Sequence, residues 1–151
     1  MSGMATTEPG DQKTSPNGTP APRGARVLLV DDDRLVLQSL ETFLASDGHE
    51  VVPVASAGEA ITELKRSSFD VMITDAILRD GNGVDLLRTV RDRWPDLLVV
   101  AMSGYGTIES AVEAMKVGAF EFLSKPVRPD EIRQVARRAI EQQTLLRANR
   151  S

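Results

Sequence analysis

The stretch VLLVDDD at residues 27–33 decides the fold. Its first four residues are apolar and partly β-branched, which is typical of a buried strand in a parallel sheet. Three carboxylates follow directly, and their mutual repulsion raises their pKa values unless a cation neutralises them. The stretch therefore predicts a buried strand whose carboxyl end is suited to a hard divalent ion.

The same pattern of an apolar run followed by a helical pattern recurs along the chain. Short apolar runs lie at 27–30, 50–55, 71–74, 97–102 and 119–123, and the helical patterns between them lie at 34–46, 58–66, 84–93, 107–117 and 129–147. This order predicts an α/β fold of the (βα)₅ type, a doubly wound parallel five-stranded sheet with helices on both faces. Ligands of such sheets bind beyond the carboxyl ends of the strands.

Four carboxylates follow the first and third predicted strands. Asp33 precedes the first helix and is expected to cap it, which leaves Asp31 and Asp32 without a local role. Asp75 follows the run at 71–74 and is expected at the same sheet edge. The sequence thus predicts that Asp31, Asp32 and Asp75 converge on a Mg²⁺ ion.

The fourth and fifth strands bring a hydroxyl and an ammonium to this edge. Ser103 follows the run at 97–102, and Lys125 precedes Pro126 just after the fifth strand. Acids that hold a divalent ion, together with a hydroxyl and a lysine, predict a phosphoryl site with covalent capture on a carboxylate. The sequence contains no Walker loop, so nothing in it favours nucleotide binding.

Composition excludes several other classes of protein. The chain has 151 residues and a net charge of −4, which disfavours direct nucleic-acid or membrane binding. It has no cysteine and one histidine, which excludes a disulfide scaffold and a thiolate metal cluster. With no signal peptide or membrane span predicted, we expect the cytoplasm. Residues 1–24 contain no Val, Ile, Leu or aromatic residue and are predicted to be a disordered tail.

These residues resemble the receiver domain of bacterial two-component response regulators, which implies a receiver over 25–147 and a C-terminal tail over 148–151. In this resemblance Asp75 is the phosphoacceptor, served by a histidine kinase or phosphotransfer protein. Asp31 and Asp32 form the acidic pocket, Asp32 is a direct Mg²⁺ ligand, and the Ile77 carbonyl is another ligand. The domain is then a signalling phosphoacceptor and not a classical enzyme, with strand order 2-1-3-4-5 and the capacity to form a homodimer.

The resemblance also assigns roles after the fourth and fifth strands. Ser103 and Lys125 contact the phosphate, and Pro126 is a cis proline. Ser103 and Phe122 form the conformational switch of the surface made by the fourth helix, the fifth strand and the fifth helix. The segments at 102–107 and 118–126 are most similar to receivers of nitrogen-regulatory transcription activators. Those activators continue into ATPase and DNA-binding domains, whereas this sequence stops at Ser151. Arg79 stands where the family usually has a proline.

Two other functions fit part of the same pattern. A haloacid-dehalogenase-like phosphohydrolase would use Asp31 and Asp33 and leave Asp75 without a role. A pseudo-receiver scaffold that works without phosphorylation would lack some of the acids. We interpret His49 as a surface residue before the second strand and Trp94 as a packing residue at the end of the third helix.

Overall fold

The computed structural model describes residues 24–104 and 108–150. Residues 1–23 of the predicted N-terminal tail lie outside the described residues. Thr107, the predicted start of the fourth helix, also lies outside them. Within the described ranges, no helix combines the length and hydropathy that a membrane span requires.

Five parallel strands form the central sheet. They are β1 (Arg26–Val30), β2 (Glu50–Val54), β3 (Val71–Asp75), β4 (Leu98–Ser103) and β5 (Glu121–Ser124). Their order across the sheet is β2-β1-β3-β4-β5, as predicted. Every residue of β3 and β4 is buried, as expected for central strands that are covered on both faces. The predicted α/β fold and strand order are therefore confirmed.

Five helices connect or follow the strands. They are α1 (Arg34–Ser46), α2 (Ala57–Arg66), α3 (Gly83–Arg93), α4 (Ile108–Val117) and α5 (Pro129–Arg150). Asp33 and Ser56 cap α1 and α2 by accepting backbone N–H groups of the first turn. Helix α5 continues to Arg150, so residues 148–150, predicted as part of a tail, are helical.

The core has two layers, one on each face of the sheet. Leu40 and Leu44 of α1 pack with the apolar stripe of α5 on one face. On the other face, α2, α3 and α4 contribute residues such as Leu64, Leu87 and Ala114. Trp94 packs partly buried against this second layer, as predicted.

A short hairpin of two two-residue strands, Ile77–Leu78 and Gly81–Asn82, lies between β3 and α3. The chain then returns close to the end of β3 at Gly83, where an added Cβ would lie 2.1 Å from the carbonyl oxygen of Asp75. A side chain at this position would displace the backbone of Asp75. Gly83 therefore lets the hairpin fold tightly against the end of β3.

His49 lies directly before β2, as predicted, but it is only partly exposed. Its ring is half-buried, and Nδ1 accepts the backbone N–H of Ala25 at 3.1 Å. Burial lowers the pKa of His49 below its usual 6.5, and Arg137 lowers it further, while Asp47 and Asp70 oppose the shift. Local sequence patterns do not indicate this contact, because its two partners lie 24 residues apart.

This contact predicts a pH dependence of stability. Below its ordinary pKa of 6.5, His49 binds a proton more readily in the unfolded chain than in the folded one. Neutral His49 should therefore contribute fully to the free energy of unfolding above that pH. This contribution should be lost as the pH falls below it. We expect urea unfolding between about pH 8 and pH 5 to show this loss in the wild type. His49→Asn keeps an acceptor without titrating, and an identical pH profile in this variant would contradict the expectation.

Candidate functional site

The acids predicted to converge do so at the carboxyl edge of the sheet. Asp31 follows β1 directly, and Asp75 is the last residue of β3, the strand that pairs with β1. Each of Asp31, Asp32 and Asp75 offers a carboxylate oxygen, and these oxygens lie within 4.8 Å of one another. Neighbouring parallel strands end side by side, which places these acids in one cluster, hereafter the acidic pocket.

Lys125 reaches into the acidic pocket from the end of β5. Its Nζ donates a hydrogen bond to Asp75 Oδ2 at 2.8 Å and forms an ion pair with Asp31 Oδ2 at 2.6 Å. The Lys125 side chain is 17% exposed, and that of Asp31 is fully buried. The ammonium therefore neutralises part of the pocket's negative charge.

Burial and charge shift the pKa values of this pair. Burial raises the pKa of Asp31 above its ordinary value, although Lys125 and the N–H of Asp33 act to lower it. Burial alone would lower the pKa of Lys125, but its contacts with Asp31 and Asp75 outweigh that effect and raise the pKa. The contacts thus favour the cationic form of Lys125, while burial opposes the ionisation of Asp31.

Backbone N–H groups orient the three carboxylates. Asp31 Oδ1 accepts the N–H of Asp33 at 2.9 Å, and Asp75 Oδ1 accepts the N–H of Ile77 at 2.9 Å. Asp32 Oδ2 accepts the N–H of Arg79 at 3.0 Å. The loops after β1 and β3 therefore fix the direction of each carboxylate.

The donor set of the acidic pocket fits a hard divalent cation. Carboxylate oxygens are the ligands that Mg²⁺ prefers, and three of them outweigh the single charge of Lys125. Asp31 Oδ2 is buried and has Lys125 Nζ as its ion-pair partner, and apart from that contact it accepts no hydrogen bond from the described residues that would keep a metal ion away. Asp31, Asp32 and Asp75 are thus suited to hold such an ion.

The other residues singled out from the sequence lie along β4 and β5. Ser103 is the buried last residue of β4, is in register with Ser124, and its carbonyl accepts the N–H of Lys125 at 2.9 Å. Phe122 is partly buried against the layer formed by α2, α3 and α4. The Lys125–Pro126 peptide bond is cis.

Asp33 occupies a different place from the other acids. Its Oδ1 accepts the N–H groups of Leu35 and Val36 at 2.9 and 3.4 Å, so it caps α1. The phosphohydrolase alternative required Asp33 to act with Asp31. The cluster instead pairs Asp31 with Asp75, the residue for which that alternative had no role.

The contacts of two residues in the hairpin loop were not predicted from the sequence. Arg79 contacts Asp32, and Asp80 uses its two oxygens to accept the N–H groups of Ala57 and Gly58 at 3.1 Å each. These two bonds hold the pKa of Asp80 below its usual value. The sequence showed only a turn-forming stretch here, and the partners lie more than 20 residues away.

Comparison with known proteins identifies the family. The sequence profile described as "Response regulator receiver domain" matches residues 27–137. The chain belongs to the response regulator receiver family. Receiver domains of this family are parts of two-component regulatory systems.

Similar proteins include several transcription regulators. This receiver domain is 37% identical over 120 residues to the DNA-binding transcriptional regulator NtrC of Azospirillum brasilense, covering 80% of this chain and 25% of NtrC. It is 34% identical over 123 residues to the alginate biosynthesis transcriptional regulatory protein AlgB of Pseudomonas aeruginosa, covering 82% of this chain and 27% of AlgB. The chain thus spans about a quarter of the length of these relatives.

Solved structures show the same fold. The beryllofluoride-activated NtrC4 receiver domain dimer has a TM-score of 0.75 and 32% identity, and the match covers 78% of this chain and 98% of that one. A receiver domain protein from Clostridium thermocellum has a TM-score of 0.76 and 35% identity, with 81% and 98% covered. The similarity to nitrogen-regulatory receivers inferred from the sequence is confirmed.

Proposed function

We propose that this receiver domain, over residues 25–147, accepts a phosphoryl group on Asp75 from a phosphohistidine of a histidine kinase or phosphotransfer protein in the cytoplasm. The observation that carries the proposal is the position of Asp75, whose carboxylate lies in the acidic pocket with Lys125 Nζ at 2.8 Å. A carboxylate held beside cationic groups can accept a phosphoryl group because those groups neutralise the charge of the incoming oxygens.

The transfer forms one bond and breaks one. An oxygen of Asp75 attacks phosphorus, the bond from phosphorus to the imidazole nitrogen breaks, and that nitrogen keeps the electron pair and takes a proton from water. The product is an acyl phosphate on Asp75 and a free histidine on the donor. Phosphoryl transfer of this kind depends mainly on positioning and charge, so the pocket needs no separate general base.

Different residues around Asp75 bind the metal ion and the phosphoryl oxygens. Asp31, Asp32 and the Ile77 carbonyl are the proposed Mg²⁺ ligands together with Asp75, and the bound ion would neutralise charge on the phosphoryl oxygens. Lys125 is already in contact with Asp75 and pairs with a phosphoryl oxygen after transfer. The Ser103 hydroxyl donates to another oxygen.

Phosphorylation of Asp75 also changes a surface of the domain that can bind a partner. Phosphorylation adds up to two negative charges beside Lys125 and Ser103, draws both inward and lets Phe122 turn into the space that Ser103 leaves. The affected α4-β5-α5 surface carries exposed apolar residues, Ile108, Val112 and Met115, at positions that share one face of α4. Such a face suits a protein partner or a second copy of this domain.

The proposal is tested by the metal dependence of phosphorylation. Incubation with acetyl phosphate and MgCl₂ should give a phosphorylated species in intact mass spectra, because the acids need a divalent ion to admit an anionic donor. Excess EDTA should remove that species. A phosphorylated species that forms equally well in EDTA would contradict the proposed role of the acidic pocket.

A further inference from the structure

Arg79 makes two contacts with a single carboxylate oxygen of the acidic pocket. Its backbone N–H donates to Asp32 Oδ2 at 3.0 Å, and its Nε lies 3.8 Å from the same oxygen. The Arg79 side chain is 88% exposed, and that of Asp32 is 25% exposed. The guanidinium therefore lies on the solvent side of the pocket, beside Asp32.

Neither contact is available to the proline that usually occupies this position. Proline has no backbone N–H and no charge, so the link to Asp32 depends on this chain's own residue. The loop that carries Arg79 is fixed on both sides, by the pairing of Ile77 with Asn82 and by the bonds from Asp80 to the start of α2. These restraints hold the backbone of Arg79 against Asp32.

The two cations at the site have different positions. Lys125 pairs with Asp31 and Asp75 from the inner side, while Arg79 pairs with Asp32 from the outer side. A divalent cation bound to the Asp32 carboxylate would lie close to the guanidinium, and two cations sharing one carboxylate repel each other. Arg79 therefore opposes metal entry at the most exposed carboxylate of the pocket.

We propose that Arg79 acts as a latch on Asp32, a positioning residue that weakens Mg²⁺ binding and moves away as the ion enters. This inference rests on the proposed function, because it takes the acidic pocket to be the Mg²⁺ site. It adds that the identity of residue 79 sets the Mg²⁺ concentration at which the domain becomes competent for phosphorylation.

The test is a MgCl₂ titration of the unphosphorylated domain, followed by the amide chemical shifts of the loops after β1 and β3. Arg79→Gln keeps the backbone N–H and removes the charge, so we expect Mg²⁺ to bind about two- to fivefold more tightly, the range of a solvent-exposed ion pair. Arg79→Lys should resemble the wild type. The gain should shrink as KCl is added, because salt screens exposed charges.

Arg66→Gln is the matched control, since it removes one exposed positive charge at the far end of α2. Equal or weaker Mg²⁺ binding by Arg79→Gln, or the same gain in Arg66→Gln, would overturn the latch while leaving the phosphoacceptor assignment intact. Failure of both the wild type and Arg79→Gln to bind Mg²⁺ would overturn the latch and the metal assignment together. Tighter binding in Arg79→Gln alone supports the latch.

Discussion

Asp75→Asn should abolish phosphorylation by acetyl phosphate in the presence of Mg²⁺. The amide that replaces the carboxylate has no negative oxygen to attack phosphorus, and it withdraws one charged ligand from the acidic pocket. Intact mass spectra should show the unmodified mass alone over the time in which the wild type becomes phosphorylated. The fold should persist, because the amide oxygen can still accept the N–H of Ile77 that now bonds to Asp75 Oδ1.

Asp85→Asn is the control for this experiment. Asp85 lies exposed in the first turn of α3 and pairs with Arg88, so the substitution makes the same change in net charge outside the pocket. We expect this variant to be phosphorylated as the wild type is. Undiminished phosphorylation of Asp75→Asn would show that another residue accepts the phosphoryl group.

Lys125→Ala should lower the free energy of unfolding by about 2 kcal/mol or more in the absence of divalent metal. The substitution leaves the buried carboxylate of Asp31 and its neighbour Asp75 without the ammonium that neutralises them. Repulsion among the acids then acts against the folded state. Adding Mg²⁺ should restore part of the loss, because a ligand that binds only the folded chain stabilises it.

Urea unfolding with EDTA and with MgCl₂ measures both effects. Lys116→Ala is the matched control, since Lys116 is an exposed lysine in the last turn of α4. We expect that control to stay within about 0.5 kcal/mol of the wild type under both conditions. Wild-type stability of Lys125→Ala in EDTA would mean that Lys125 does not balance the charge of the acidic pocket.

The positions of Asp31 and Asp75 could be predicted because they depend on strand periodicity and topology alone. Each follows a short apolar run, and parallel strands joined by right-handed crossovers end at one edge of the sheet. The same reasoning placed Ser103 at the end of β4. For these residues, local sequence patterns carry the information that positions the side chain.

Arg79, Asp80 and His49 could not be placed in this way. Their partners are far away in the sequence, and their contacts depend on the exact path of a loop or a strand end. Turn-forming residues at 79–83 indicate that the chain reverses, but not which carboxylate or helix start it meets. The periodicity of apolar residues predicts regular helices and strands but not the path of irregular backbone. The contacts of the hairpin after β3 could therefore be identified only from the structure.

The most direct test of the account is to locate the phosphoryl group itself. After incubation with acetyl phosphate and MgCl₂, sodium borohydride reduces an acyl phosphate on aspartate to the alcohol, which converts that residue to homoserine. Peptide mass spectrometry should then find homoserine at position 75 and unmodified aspartate at positions 31, 32 and 33. Homoserine at one of those three positions, or a phosphoryl group that survives borohydride on a hydroxyl such as that of Ser103, would contradict the assignment of Asp75.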